Sequence, residues 1–272
     1  MTTGPFAEAT AYEMLVAVAE RHAARPAMVA GDARMTFADF RARVDALAGG
    51  LGALGLRHGD ALAIWLPNRP LWFIAQYAAA RLGIIVVALN PRYRAREPSY
   101  ILAQSDAAAL LFTDHLGPVD YVEILHEALP DLASAVPGEL ALPAFPKLRH
   151  VLVDADGPYP GCWRVGDVHD AGRGAQDVAA GPTADDVFTL LYTSGTTGIP
   201  QGGDDLAPQL RAARLEYRGA ATAHARRPRA PHASRGRHVG RPQRPAVDVE
   251  PRRLPRAHGD LGPLAGPRAD RA

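Results

Sequence analysis

Residues 192–202 read Y-T-S-G-T-T-G-I-P-Q-G, directly after the apolar run V-F-T-L-L at 187–191. The run has the look of a buried strand. The stretch that follows places four hydroxyl side chains (Thr193, Ser194, Thr196, Thr197) and two glycines (Gly195, Gly198) within six positions. Glycines let the backbone turn tightly and point several N–H groups into one concavity, and such a nest holds phosphate oxygens. The hydroxyls add donors that reach the same oxygens. No G-x-x-x-x-G-K-[ST] sequence is present, so this is not a Walker A loop. A surface turn rich in Ser, Thr and Gly has a similar composition, but a glycine loop directly after a strand is the usual setting of phosphate loops.

Upstream, the chain alternates between two periodicities. Thr10–Ala24 reads as a helix capped by Thr10, with Met14, Leu15 and Val18 on one side, and Met28–Ala30 as a short strand. Thr36 caps a second helix, with Asp39 three residues on in near capping-box spacing. In it Phe37, Phe40, Val44, Leu47, Leu51 and Leu54 recur every three or four residues, which is one helix face. Asp60–Leu66 is a continuous apolar strand. Pro70 opens a helix over Leu71–Leu82 that Gly83 ends. Ile84–Leu89 is the next strand, Pro98–Asp106 a helix and Ala109–Thr113 a strand. Val119, Val122, Leu125 and Leu129 mark a further helix before Pro130, and Val151–Val153 and Val187–Leu191 supply more strands.

Strands without polar alternation, separated by amphipathic helices, form a parallel sheet covered on both faces. The expected fold class is therefore α/β, a parallel-rich sheet flanked by helices. Ligands of such sheets bind where loops leave the carboxyl ends of the strands. The loop at Thr193–Gly198 holds that position.

The same eleven residues resemble the phosphate-loop signature of the adenylate-forming superfamily, Y-T-S-G-T-T-G-x-P-K-G. Its members include acyl-CoA synthetases, peptide-synthetase adenylation domains and luciferases. The one departure is Gln201, where the family has lysine. The resemblance extends upstream through M-T-F-A-D-F-R-A-R-V-D-A-L-A-G-G-L at 35–51, G-D-A-L-A-I-W-L-P-N-R-P at 59–70 and A-R-L-G-I-I-V-V-A-L-N-P-R-Y at 80–93. These segments are most similar to fatty-acid and aromatic-acid CoA ligases. The resemblance implies that residues 1–203 are the N-terminal part of a large adenylation domain. It implies ATP, Mg²⁺ and coenzyme A as cofactors and a small-molecule carboxylate as substrate, converted to an acyl-adenylate and then an acyl-CoA. Thr193, Ser194, Gly195, Thr196, Thr197, Gly198 and Gln201 then bind the phosphates, with Thr193 or Ser194 supplying the hydroxyl nearest Mg²⁺. Gln201 offers neutral hydrogen bonds where lysine would bring a charge.

Composition narrows the remaining possibilities. Of 272 residues 47% are hydrophobic, as in an ordinary globular protein, and Cys162 is the only cysteine. A disulfide framework and a cysteine metal site are thereby excluded. His22, His58, His115, His126, His150 and His169 are scattered, with no pair at metal-ligand spacing. Asp185 and Asp186 are adjacent before a strand and so point to opposite faces. No apolar run is long enough to span a bilayer and no leader is visible, so a cytoplasmic location is expected. Trp65, Trp72 and Trp163 are expected in packing roles.

The net charge of +1 conceals a division, −7 over residues 1–203 and +8 over 204–272. The second segment holds 15 Arg, 14 Ala and 9 Pro, with no Ile, Phe, Trp, Met or Lys. Its Leu and Val together number nine of 69 residues, below the roughly 20% that a packed core needs. Disorder is the expectation. An arginine-rich nucleic-acid-binding tail on a non-catalytic nucleotide-binding fragment is the alternative function. Nucleic acid is not the expected partner, because the tail has one aromatic (Tyr217), no RGG repeat and no basic run longer than two. The reading adopted is out-of-frame translation of GC-rich DNA, with a shift between Pro200 and Pro208. Read one base later, Gln209–Arg218 permits N-F-V-R-H-G-W-N-I-A, a helix carrying aromatics. The adenine- and ribose-binding segments, the acidic Mg²⁺ partner and the C-terminal lysine domain implied by the resemblance are not found in 204–272. The expectation is an inactive, truncated ligase with no catalytic residue of its own.

Overall fold

A computed structural model describes residues 9–174, 181–194 and 210–216, all within a unit spanning Met1–Arg227. The expected boundary at 203–204 lies outside the described residues.

The first half follows the periodicity. Helix α1 (Ala11–His22) starts on a full capping box: the Thr10 hydroxyl accepts from the Glu13 N–H at 3.2 Å, and Glu13 accepts from the Thr10 N–H at 2.7 Å. A two-stranded antiparallel ribbon, β1 (Pro26–Ala30) and β2 (Ala33–Thr36), leads into α2 (Phe37–Ala53). There Asp39 does the work usually given to glutamate, accepting from the Thr36 N–H and hydroxyl, and these bonds hold its carboxyl below the usual range. Phe40, Val44, Leu47 and Leu51 are buried as expected, while Phe37 and Leu54 pack at the margin.

The central sheet is built from β3 (Ala61–Trp65), β4 (Ile85–Ala88), β5 (Ala107–Thr113), β8 (His150–Asp154), β9 (Cys162–Arg164), β10 (Val187–Ser194) and β11 (Leu210–Glu216). Its order is β11-β10-β4-β3-β5-β8-β9, and every pairing is parallel except β10 with β11. β3 and β5 are buried at every position, which is why they carry no polar alternation. Helices α3 (Pro70–Leu82), α1, α2 and α6 (Val165–Ala171) cover one face through Leu62, Ile64, Val86 and Leu111. Helices α4 (Arg96–Gln104) and α5 (Tyr121–Ala128) cover the other through Ala63, Trp65, Val87 and Phe112. Each large side chain so buried contributes about 1.5–3 kcal/mol. On the first face α2 and α6 touch closely: a Cβ on Gly50 would lie 2.0 Å from the Val168 carbonyl oxygen.

Several boundaries differ from the sequence reading. Helix α4 begins two residues before Pro98, because proline is tolerated in a first turn whose N–H groups have no partner. Val119 belongs to a small ribbon of β6 (His115–Leu116) and β7 (Val119–Asp120), and Asp120 caps α5 by accepting from the Glu123 N–H at 2.9 Å. β2, β9 and α6 were not foreseen, being short and polar. Nor did the composition of 204–272 foretell β11. Strand pairing needs only backbone donors and acceptors, and residues 209–227 contain no proline to remove one.

Candidate functional site

β10 delivers the predicted loop. Its backbone runs beside β4, with Thr189 opposite Val86 and Leu191 opposite Ala88, and the buried Thr189 hydroxyl donates to the Val86 carbonyl at 2.8 Å. Tyr192 is buried against α4, and its hydroxyl donates to Gln104 Oε1. Burial pushes the Tyr192 phenol up to about 12, so it stays a donor. Thr193 and Ser194 form the last two positions of β10, at the carboxyl end of the parallel sheet. Gly195, Thr196, Thr197, Gly198 and Gln201 lie outside the described residues.

The groups around that exit come from neighbouring strands. β3 is followed by a helix on one face and β5 by a helix on the other, so the sheet reverses its winding between them. A crevice outside the strand ends is the usual ligand position at such a reversal. An open cleft of about 540 Å³ occupies it, lined among others by Asn68 after β3, Asn90, Arg92 and Arg94 after β4, and Tyr121 after β5.

The loop after β4 is held from beneath. The Trp65 indole N–H donates to the Asn90 carbonyl at 3.1 Å, and the Tyr121 hydroxyl donates to the Pro91 carbonyl at 2.8 Å. Asn90 Oδ1 accepts from the Arg92 N–H at 2.9 Å, and Glu97 accepts from the Arg94 N–H at 3.0 Å. Trp65 and Tyr121 meet edge to face with ring centroids 4.8 Å apart. Deeper along the same edge, Arg69 donates to Asp154 at 2.5 Å and to the Thr113 hydroxyl at 3.3 Å, joining the ends of β8 and β5 to the start of α3. Asp114 accepts from the Tyr159 hydroxyl at 3.2 Å.

The arginines of this edge escaped the sequence reading, although the signal was there. P-N-R-P at 67–70 and N-P-R-Y-R at 90–94 are breaker segments directly after strands, which places both at the ligand-binding end. Other candidates resolve into structure. Asp186 accepts from the Thr183 N–H at 2.6 Å and pairs with His58 at 3.1 Å, at the opposite, amino end of the sheet. Those bonds, the one from Thr183 first, hold its carboxyl low. Trp65 is fully buried, and Trp72 and Trp163 pack against the core. Burial pushes the Cys162 thiol up to about 12, which leaves it unreactive. Among the described residues no group of three or more His, Cys, Asp or Glu is placed to hold a metal ion, and no helix is long and apolar enough to cross a membrane.

Comparison with known proteins sets this edge in context. The AMP-binding enzyme family matches residues 15–202. The chain belongs to that family. Curated relatives of this AMP-binding chain include the mitochondrial medium-chain acyl-CoA ligases of Danio rerio and Homo sapiens. The first is 34% identical over 209 residues, covering 74% of this chain and 34% of the relative. The second is 35% identical over 201 residues, covering 71% and 32%. The chain thus spans about a third of the length of the curated relatives it matches. Among solved structures, an anthranilate CoA ligase in complex with anthranoyl-AMP superposes with a TM-score of 0.63 at 22% identity, over 80% of this chain and 36% of that one. The inhibitor-bound N-terminal domain of FACL13 from Mycobacterium tuberculosis gives 0.59 at 24% identity, over 76% and 44%. At these identities the structures speak for the fold.

Proposed function

We propose that residues 1–202 are the N-terminal part of an ATP-dependent acid–CoA ligase whose loop at Thr193–Gly198 binds nucleotide phosphates, and that this chain does not complete the ligase reaction. The observation that carries the reading is a coincidence of boundaries. The family match ends at residue 202, and the acidic, Lys-containing composition gives way to the arginine- and proline-rich one after 203. In the complete reaction a carboxylate oxygen attacks the α-phosphorus of ATP, pyrophosphate leaves, and the thiol of coenzyme A then displaces AMP. What this chain brings is the first requirement of that chemistry, a polyphosphate seat at the carboxyl ends of parallel strands. Backbone N–H groups of Gly195 and Gly198 and the hydroxyls between them would hold phosphate oxygens, with Thr193 or Ser194 nearest a Mg²⁺ ion. The chemistry of the described edge suits an anion: the residues lining the cleft include two arginines and no carboxylate.

Residues 204–272 carry none of the segments that would enclose adenine and ribose, and Gln201 stands in the place of the loop's lysine. Out-of-frame translation beginning between Pro200 and Pro208 accounts for both. The substrate class is a small carboxylic acid, and a cytoplasmic location suits the single, buried cysteine.

Two measurements test this reading. ATP–pyrophosphate exchange with a panel of carboxylates should stay at background, while Mg²⁺–ATP should still bind the full chain by calorimetry. Exchange above background overturns the claim of inactivity. Absence of nucleotide binding overturns the phosphate-loop assignment. Sequencing the DNA across codons 190–215 should uncover a one-base change that restores P-K-G and opens the missing segments; a clean frame overturns the out-of-frame account.

A further inference from the structure

The two edges of the central sheet are closed off in different ways. One edge is β9, only three residues long and ending in Arg164, and so short a strand gives an incoming strand little to pair with. The other edge is β11, and the strand directly inside it is β10.

Taken by itself, β10 is the kind of edge that proteins avoid exposing. Val187–Ser194 reads V-F-T-L-L-Y-T-S, eight residues without a charge, a proline or a glycine. Residues of high strand preference, Val187, Phe188, Thr189, Tyr192 and Thr193, make up most of it. Parallel pairing with β4 over Thr189–Leu191 uses the backbone groups of one side only. Leu191 is 37% exposed, so one face of the strand is open as well. A bare edge of this length and composition is a template for pairing with another chain.

β11 removes that edge. It pairs antiparallel with β10 from Ser194 opposite Leu210 to Val187 opposite Glu216, the full length of both strands. The edge it leaves outermost is different in kind, because L-R-A-A-R-L-E carries three charged residues in seven, and charge on an edge strand discourages further addition. Residues 195–209 join the two strands, and closing a loop of about 15 residues within one chain costs less than recruiting a strand from a second molecule at ordinary concentrations.

The partner that an uncovered β10 suits is a second β10. Two copies of a charge-free strand pair antiparallel about a two-fold axis, and neither brings a charge against the other. We propose that Leu210–Glu216 is a guard strand, which occupies in cis the edge by which β10 otherwise pairs with β10 of a second copy of this chain. The contact is made by backbone groups, so it holds whichever reading frame produced the segment. It is also independent of any nucleotide bound by the loop after β10.

Two measurements on the full chain test the guard. In the first, Leu191→Cys with Ala213→Cys puts thiols at register partners, which lie within disulfide reach in an antiparallel pair. Cys162 stays in place, since it is buried and its thiol is pushed up to about 12. Oxidation should give an intrachain bridge that runs as a monomer on a non-reducing gel, and L190C with A213C, one residue out of register, should bridge far less. A bridge between molecules, or equal bridging by the two pairs, overturns the proposal.

The second is amide exchange by mass spectrometry together with light scattering. A212P with A213P removes the N–H groups of adjacent positions, one of which donates towards β10. Exchange across residues 187–194 should rise about tenfold or more while β3 and β5 keep their parent rates, and the variant should self-associate as its concentration increases. A220P with A221P, beyond the strand, should match the monomeric parent in both respects. Unchanged exchange at 187–194, faster exchange without association, or a parent that associates as readily as the variant would each refute the guard. Faster exchange throughout the sheet would refute it too, because the strand would then belong to the core of the fold.

Discussion

The two ends of the central sheet use polar residues in opposite ways. At the amino end several charged groups find partners that tie one loop to another. Arg149 reaches Asp60 at 2.7 Å, Asp60 also accepts from the Arg57 N–H, and Asp186 joins His58 to the turn at Thr183. Backbone bonds complete the stitching, from the Gly59 N–H to the Gly83 carbonyl and from the Ile85 N–H to the Asp60 carbonyl. At the carboxyl end the bonds fix the backbone of the loop after β4 but leave Arg92 and Arg94 facing solvent across a cleft. Charges satisfied within the protein hold the fold; charges held in place yet unsatisfied are ready for a ligand. A substitution at the amino end should therefore register in stability, and one at the rim of the carboxyl end in binding.

The largest stability effect should come from a residue that supports the carboxyl edge from inside the core. Trp65→Ala removes a fully buried ring, its contact with Tyr121 and its hydrogen bond to Asn90. A loss of about 3–5 kcal/mol is expected, a large part of a domain's total stability. Urea denaturation read by circular dichroism gives the value. A loss below about 1 kcal/mol would mean that the loop is not held from beneath.

Gly83→Ala is the corresponding break at the amino end. Gly83 caps α3 at φ +69°, and a Cβ there would lie 2.2 Å from the His58 ring. Left-handed strain and displacement of His58 together should cost about 2 kcal/mol. Adding His58→Ala should recover the part due to the clash, and a double-mutant denaturation series separates the two.

How far the sequence revealed this division depends on the residues concerned. The apolar runs of β3 and β5, the Thr10 and Thr36 caps and the Gly83 stop were all legible, because each is set by neighbours within a few residues. The strand that leads to Thr193 and Ser194 was legible for the same reason, whereas Gly195 to Gln201 lie outside the described residues. The α4 start was misplaced by two residues because Pro98 stops a helix only beyond its first turn. Arg92 and Arg94 could not be distinguished from other surface arginines, since what sets them apart is that Asp114 and Asp154, twenty to sixty residues away in the chain, bond to Tyr159 and Arg69 instead and that no carboxylate is among the described residues lining the cleft. The strand at Leu210–Glu216 was hidden because composition counts side chains, whereas its pairing with β10 is made by backbone.

A smaller effect probes pH at the amino end. His150, the first residue of β8, is 8% exposed and its Nδ1 has no hydrogen-bond partner. Burial lowers its imidazole pKa below the ordinary 6.5, an effect that a hydrogen bond to the Leu54 backbone only partly offsets. The folded state thus prefers the neutral ring, and the unfolded chain takes up the proton first. The resulting stability is present above pH 6.5 and is lost as pH falls below it. Between pH 7.5 and 5.0 the urea midpoint of the parent chain should drop more than that of His150→Gln. Equal drops would assign the acid sensitivity to other groups.

The smallest stability effect, and the sharpest test of the contrast, belongs to Arg92 and Arg94. If both guanidiniums serve a ligand and nothing in the fold, then R92A with R94A should leave the urea midpoint within about 0.5 kcal/mol of the parent. The parent chain alone should gain stability when pyrophosphate is added, since a ligand that binds only the folded state stabilises it in proportion to the logarithm of its concentration over Kd. The variant would then melt with the parent in buffer and apart from it in pyrophosphate. If the two separate already in buffer, the arginines are part of the scaffold, and the carboxyl end of the sheet is stitched like the amino end.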